Sequence, residues 1–247
     1  MKPIKYALLI AGIWLLSGCT DSDGLPWWCL GTEGKAPSAD LNVAGCARPT
    51  KTPKDLPYPA WELRFTHPPY MEIWIESAQV RDIEDRWARN AGRGTVAFGD
   101  MGDSRAEGWT NHHGMVPAGK GRRMSGINLP EEIHVRWQSR VEGKVYQIQI
   151  DFPEWARQKM VTPNEAVSPR SGETRTQYRN LVTLGLAPGG RVKVWIQGTW
   201  PDAIEVLSLQ AELEERGPYL GQEENVVPPS PEALEYVEKY GIPYETW

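Results

Sequence analysis

Few side chains in this 247-residue chain combine the type and the spacing that catalysis or metal binding requires. His112 and His113 are adjacent, and neighbouring histidines do not readily share one metal ion in a tight site. The serines lie outside any G-x-S-x-G elbow, and the acidic residues Asp100, Asp103 and Glu107 lack the spacing of a calcium loop. We therefore expect no metal, no cofactor and no enzymatic activity. A hydrolase site assembled in space is the open alternative, because catalytic triads are built from distant residues.

The clearest chemistry belongs to Cys19. A basic start and an apolar run from Tyr6 to Leu16 precede it, which is the pattern of a secretory signal too short to span a bilayer permanently. The string LSGC, which ends at Cys19, resembles the lipobox of bacterial lipoproteins, in which the signal is cut before a lipidated cysteine. We expect residues 1–18 to be a signal peptide and Cys19 to be lipidated. Because Thr20 and not aspartate follows, the resemblance implies the periplasmic face of the outer membrane. An ordinary cysteine in an ordinary signal peptide is the alternative.

Cys29 and Cys46 are the other two cysteines of the chain. With Cys19 lipidated they form an even pair, and in the oxidising periplasm a disulfide between them is the expected state. The bond would close a loop in residues 19–60, which read as a Gly- and Pro-containing tether, and would contribute about 3 kcal/mol. Two free thiols or a metal pair are the alternatives, and no C-x-x-C spacing supports a metal.

The chain is acidic, with a formal net charge of −5, and it loses two further positive charges if Lys2 and Lys5 leave with the signal. This charge argues against nucleic acid and anionic lipid headgroups as main partners, and it would steer a basic protein. No small-molecule ligand is predicted. Contact with the membrane is expected through the N-terminal lipid, and Trp27 and Trp28 are expected either to rest at the headgroup level or to cap the core.

From Trp61 onward, apolar and polar residues alternate with a period of two, which is typical of half-buried strands. The predicted strands are 61–65, 71–75, 133–138, 146–152, 181–186, 192–196 and 207–213, and the predicted helices are 154–160 and 232–240. Gly189 and Gly190 supply the positive φ angles of a tight hairpin. We predict a mainly β fold, an antiparallel β-sandwich of hairpins over residues 61–216, with one or two short peripheral helices. Residues 217–247 are expected to form a C-terminal tail with a short helix.

Residues 84–127 carry many glycines and no periodicity, so they predict a long irregular segment and a first candidate for a contact surface. The partner-binding candidates in it are Trp109, His112, His113, Arg122 and Arg123. Two other tryptophans, Trp74 and Trp195, fall on the polar faces of their strands. They are either interface anchors or residues covered by further protein.

Two stretches resemble a known family. VRWQSRVEGKVYQIQIDFP (135–153) and LVTLGLAPGGRVKVWIQG (181–198) are similar to the core of an uncharacterised family of Gram-negative lipoproteins, classed as a domain of unknown function. Members are often encoded beside type VI secretion components and antibacterial effectors, lipase-type ones included. The resemblance implies a periplasmic immunity protein that binds and blocks a cognate secreted effector, and it implies no catalytic residue. A structural or scaffolding envelope lipoprotein with no toxin partner is the alternative.

Overall fold

The alternating segments of the sequence form stacked β-sheets. The computed structural model describes residues 56–96, 108–109, 116, 119–168, 171–198 and 203–247. Cys19, Cys29, Cys46, His112 and His113 lie outside the described residues, so the lipid, the disulfide and the histidine contacts stay predictions.

The described residues contain two α-helices and a series of strands. The helices are α1 (Glu154–Val161) and α2 (Pro231–Tyr240). The strands are β1 (Trp61–Thr66), β2 (Ile73–Asp82), β3 (Trp87–Thr95), β4 (Lys120–Met124), β5 (Pro130–Ser139), β6 (Lys144–Asp151), β7 (Asn164–Val167), β8 (Thr174–Gln177), β9 (Leu181–Ala187), β10 (Arg191–Gln197), β11 (Ile204–Gln210) and β12 (Glu212–Leu213). Among the helices of this part of the chain, none has the length and hydropathy to cross a bilayer.

Two five-stranded sheets share one hydrophobic core. The first sheet has the order β11-β10-β9-β1-β4, and the second has the order β12-β6-β5-β2-β3. Side chains such as Leu63, Phe65, Val135 and Val194 are fully or almost fully buried between them. The predicted β-sandwich is confirmed. Its pairings are antiparallel except for β1 with β9, which run parallel.

Both hairpins that carry the family resemblance are formed. β5 pairs with β6 from Glu132 to Ser139, and β9 pairs with β10 along their whole length. Gly189 and Gly190 each have a φ of 72° in the β9–β10 turn, as their glycine pair predicts. The two predicted helices are also present as α1 and α2, and the Ser230 side chain caps α2 by accepting a hydrogen bond from the Ala233 amide.

The prediction of an irregular segment over residues 84–127 is wrong where β3 and β4 form. Two register shifts interrupt the pairing of β2 with β3, so a simple period of two does not appear in the sequence. Gly92 interrupts it further, because a Cβ there would lie 2.4 Å from Cε2 of Phe65. The polar stretch after α1 likewise contains the small β7–β8 hairpin.

A buried ion pair joins the C-terminal tail to the outer face of the second sheet. Glu76 is the extra residue of a bulge in β2, which leaves it on the outer face, where its exposed fraction is 2%. Its carboxylate accepts hydrogen bonds from Arg136 Nε at 2.5 Å and from the Tyr219 amide at 3.0 Å. Arg136 also donates to Glu214 at 3.1 Å and to the Gly217 carbonyl at 2.7 Å. The tail therefore covers a face that strand periodicity would assign to water.

A second buried carboxylate holds β3 in place. The Asp82 side chain is fully buried at the end of β2. It accepts hydrogen bonds from the Arg86 amide and guanidinium, both at 2.9 Å, and from the Asn128 amide at 2.6 Å. These contacts tie the β2–β3 turn to the segment that enters β5, and so they position Trp87 and the start of β3.

Replacing Arg136 by leucine should lower the free energy of unfolding by about 3 kcal/mol, because Glu76 would be left charged and buried without its cation. Urea unfolding followed by circular dichroism measures the change. Arg175→Leu is the matched control, since Arg175 pairs with Glu173 on the surface and its loss should cost less than about 1 kcal/mol. Equal losses in the two variants would contradict a structural role for the buried pair.

The free energy of unfolding should also depend on pH, through the protonation of Glu214. The Arg216 guanidinium, which hydrogen-bonds this buried carboxylate, lowers the pKa of Glu214 from 4.5 to about 2. A depressed pKa stabilises the fold above the unfolded value, so about 3 kcal/mol is lost as the pH falls from 4.5 towards 2. Urea titrations across this range should show a shallower pH dependence for Glu214→Gln. The variant Glu215→Gln, which alters the exposed neighbouring carboxylate, should follow the wild type.

Candidate functional site

The edge strands of the two sheets lie side by side at one end of the sandwich. β4 pairs only with β1, and β3 pairs only with β2, so each strand leaves one row of backbone groups unpaired by a strand of the described chain. Such edges are templates on which another protein segment can dock.

These two strands are strongly basic although the chain as a whole is acidic. They carry five cations, Arg89, Arg93, Lys120, Arg122 and Arg123, and neither strand contains an acidic residue. We call β3 and β4 with these cations the basic edge. The local charge differs from the net charge of the chain because the acidic residues lie outside these two strands, several of them in ion pairs with other arginines.

Two cations of the basic edge lie on the face of β4 that is turned toward the core. Lys120 lies opposite Phe65 of β1, and Arg122 lies opposite Leu63, and both of those partners face the core. Arg123 lies opposite Glu62 and so belongs to the outer face. The inner cations therefore line the opening between the sheets, where a cleft of about 520 Å³ is bounded by residues of both edge strands.

The glycines of β3 and β4 keep this cleft open. Gly92 leaves room for the Phe65 ring, as described above, and Gly94 adopts a φ of +88°. A Cβ on Gly94 would also lie 3.0 Å from the Lys120 ammonium, which donates to the Arg93 carbonyl at 2.5 Å. Side chains at these two positions would close the space next to the lysine.

Two arginines of β4 form no ion pair within the described residues. The side chains of Arg122 and Arg123 form no ion pair or hydrogen bond within the described part of the chain, and both residues are exposed. The cleft walls partly desolvate the inner cations, which lowers the pKa of Lys120 and of Arg122. A carboxylate or another anion that entered the cleft would restore the interactions that water no longer supplies. Within the described residues there is no cluster of histidine, cysteine and carboxylate side chains that could hold a metal ion.

The sequence-predicted partner-binding residues separate in the structure. Arg122 and Arg123 both lie on the basic edge. Trp109 instead covers the outer face of the first sheet, where its ring meets that of Trp195 edge-on at 5.5 Å. Only 6% of Trp109 is exposed, so it contributes to the monomer's own packing, and its role in partner binding stays a prediction.

Both tryptophans on the polar faces of their strands are covered by further protein. Trp195 is 5% exposed beneath Trp109, and Gly185 beside them leaves the space that the two indoles fill. Trp74 is half-buried, and its indole nitrogen donates to the Tyr219 hydroxyl of the tail at 2.8 Å. Of the two sequence-based interpretations, coverage by the chain itself is the one the structure supports.

Sequence reasoning missed Arg89, Arg93 and Lys120 as members of the site. A usable signal was present, because RWARNAGRG (86–94) and KGRR (120–123) concentrate cations without acids in an acidic chain. The segments are far apart in sequence, and only the packing of the two sheets brings their strands together.

Replacing Trp109 by alanine should lower the free energy of unfolding by about 3 kcal/mol, because the indole is buried against Trp195 and Gly185. Trp155→Ala is the matched control, since Trp155 on α1 is 44% exposed and its loss should have little effect. Chemical denaturation of both variants makes the comparison. A Trp109→Ala protein as stable as Trp155→Ala would mean that the indole is not part of the monomer's packing.

The chain was compared with known proteins. The family model described as "Protein of unknown function (DUF2931)" matches residues 47–245. No curated protein and no solved structure matches the chain. The family match spans both resembling hairpins, the basic edge and almost all of the tail. Since it covers well over half of the sequence, the chain belongs to the DUF2931 family of proteins of unknown function.

Proposed function

We propose that this protein is a lipoprotein at the periplasmic face of the outer membrane that binds and neutralises a cognate secreted antibacterial effector. In this proposal it is a type VI immunity protein, with effectors of lipase type among the candidates, and it acts by occlusion without catalysis of its own. The signal pattern of residues 1–18 and the LSGC string support the proposed location at the outer membrane, and the family resemblance supports the proposed immunity role.

The basic edge is the observation that carries the binding role. It joins two strand edges, which no described strand pairs, to a cleft, and its Arg122 and Arg123 side chains form no ion pair within the described residues. Arginine is enriched among the residues that dominate interface energies, since it offers five donors on a rigid plane. A partner that added a strand here would gain backbone hydrogen bonds from the edge and charge-assisted ones from the arginines.

The local charge also changes the expected chemistry of the partner. The net charge of −5 by itself favours a basic partner, whereas the basic edge is complementary to an acidic one. Contact surfaces are matched patch against patch, so the edge and not the total charge defines the partner. We therefore expect the effector to present aspartate or glutamate residues to β3 and β4.

Inward-pointing cations also protect edge strands from aggregation, and this role needs no partner. The two roles differ in their dependence on Arg123, which lies on the outer face, where it contributes nothing to closing the opening between the sheets. A binding surface would use Arg122 and Arg123 together.

The double variant Arg122→Glu/Arg123→Glu should fail to protect cells from a sibling strain that carries the effector. It should also weaken binding to the effector encoded beside this gene by about a hundredfold, because it places like charges against the partner. Survival in co-culture and titration calorimetry with the purified effector measure the two effects. The matched control is Lys144→Glu/Arg175→Glu, which changes the charge equally at two exposed positions away from the edge.

Two outcomes would contradict the proposal at different levels. Full protection by the variant Arg122→Glu/Arg123→Glu would show that the basic edge is not part of the interface, although the protein could still be an immunity protein. Unchanged survival after deletion of the gene would exclude the immunity role. Co-purification with envelope machinery, and with no effector, would then favour the scaffolding alternative.

A further inference from the structure

A second and larger cleft lies on the face of the second sheet that is turned away from the shared core. It occupies about 870 Å³ on the outer face of the second sheet, between β2, β5 and β6 and the segment that runs from Leu209 to Leu220. This volume falls within the range of small-molecule sites, which is about 300–1,000 Å³. This segment forms one rim of the cleft, and its last residue, Leu220, belongs to the tail that the Glu76–Arg136 pair holds in place.

The floor of the cleft consists of two polar rows that cross three strands. Strand register places Gln79 of β2, His134 of β5 and Gln149 of β6 in one row. The neighbouring row contains Ser77, Arg136 and Gln147. These six side chains all line the cleft.

The neutral members of these rows are uncommitted. Ser77, Gln79, Gln147 and Gln149 make no side-chain hydrogen bond within the described residues, and all four are half-buried or exposed. Amides that serve the fold behave differently. The Gln138 side chain, for example, is buried and donates to Glu76 at 2.9 Å.

The charged groups on the floor of the cleft are compensated by the protein. Arg136 is held between Glu76 and Glu214, and His134 contacts the Glu132 carboxylate. Arg216 at the rim is bound to Glu214 at 2.8 Å. At the rim, Glu212 is exposed and forms no ion pair within the described residues, and its carboxylate can accept hydrogen bonds from hydroxyl groups. An anionic ligand is therefore disfavoured here, in contrast to the basic edge.

Three carboxamides and one hydroxyl remain to bind a ligand, with the Trp87 indole lining the cleft beside them. Each of these polar groups contains both a donor and an acceptor, which matches the hydroxyl groups of a sugar. A purely apolar ligand would leave those groups unsatisfied, at a cost in affinity. We propose that this cleft binds a neutral oligosaccharide. The site is distinct from the basic edge and does not depend on the effector-binding proposal.

Titration calorimetry of the full-length mature protein with chitotetraose and with cellotetraose tests the proposal. Both sugars are neutral, and only the first carries N-acetyl groups. We expect millimolar or tighter binding of at least one. Tighter binding of chitotetraose would identify an amino-sugar glycan as the ligand class, and equal binding would identify recognition through hydroxyl groups alone.

The double variant Gln79→Ala/Gln149→Ala should raise the Kd by about tenfold, because it removes two sets of hydrogen bonds. Gln158→Ala is the matched control, as its amide is exposed on α1 and lies outside the cleft. The single variant Gln149→Ala, at an exposed position, gives the same test with less risk to the fold. No binding of either sugar, or an unchanged Kd in the Gln79 and Gln149 variants, would overturn the proposal. Arg122→Glu/Arg123→Glu should bind sugar as the wild type does.

Discussion

The covered outer face of the second sheet depends on one buried ion pair. Glu76 lies in a bulge that turns it away from the core, and a carboxylate in that position needs a cation and further donors. Arg136 of β5, Gln138 of β5 and the Tyr219 amide supply them. Because the last of these donors comes from the tail, the carboxylate is fully satisfied only when the tail is docked. The stability of the sheet therefore depends on the docked position of the tail.

The docked tail makes further contacts with the start of β2, with the residues before it and with Arg140 after β5. It contacts Trp74 through Tyr219, and further on the Ser230 amide and Arg140 share the carboxylate of Glu72. α2 then packs on the other side of this segment, where Tyr236 stacks on Tyr70 at 4.3 Å. Leu220 of the same tail also lines the rim of the polar cleft. A segment that adds no strand to the second sheet therefore covers part of its outer face.

Charge is distributed so that two surfaces with different chemistry coexist. On the outer face of the second sheet, Arg136 is paired with Glu76 and Glu214, and neutral amides line the cleft beside them. On the basic edge, cations meet no acidic residue on their own strands, and partial burial makes an anionic partner favourable. The net charge of the chain describes neither surface, because it sums groups that are already neutralised by their neighbours.

The order of hairpins and helices was readable from local patterns. The alternation around Trp137, the glycine pair Gly189-Gly190 and the cap at Ser230 each act within a few residues, so β5–β6, β9–β10 and α2 follow from the sequence. β3 could not be predicted in this way. The Phe65 ring, 27 positions away in sequence, leaves no room for a side chain at Gly92, and bulges shift the register between β2 and β3. Arg122 and Arg123 were found as cations, but their shared surface with β3 was not.

What the sequence by itself determined is therefore the set of strands with a regular period, the tight turns and the balance of charge. Only the tertiary structure decided which faces are covered and which cations stand together. The reason is physical: alternation reports that one face of a strand is more polar than the other, and a polar face can be satisfied equally by water or by a buried partner such as Glu76 with Arg136. That choice is made by segments distant in sequence. It placed Trp195 beneath Trp109, and it placed β3 and β4 at edges that no described strand pairs.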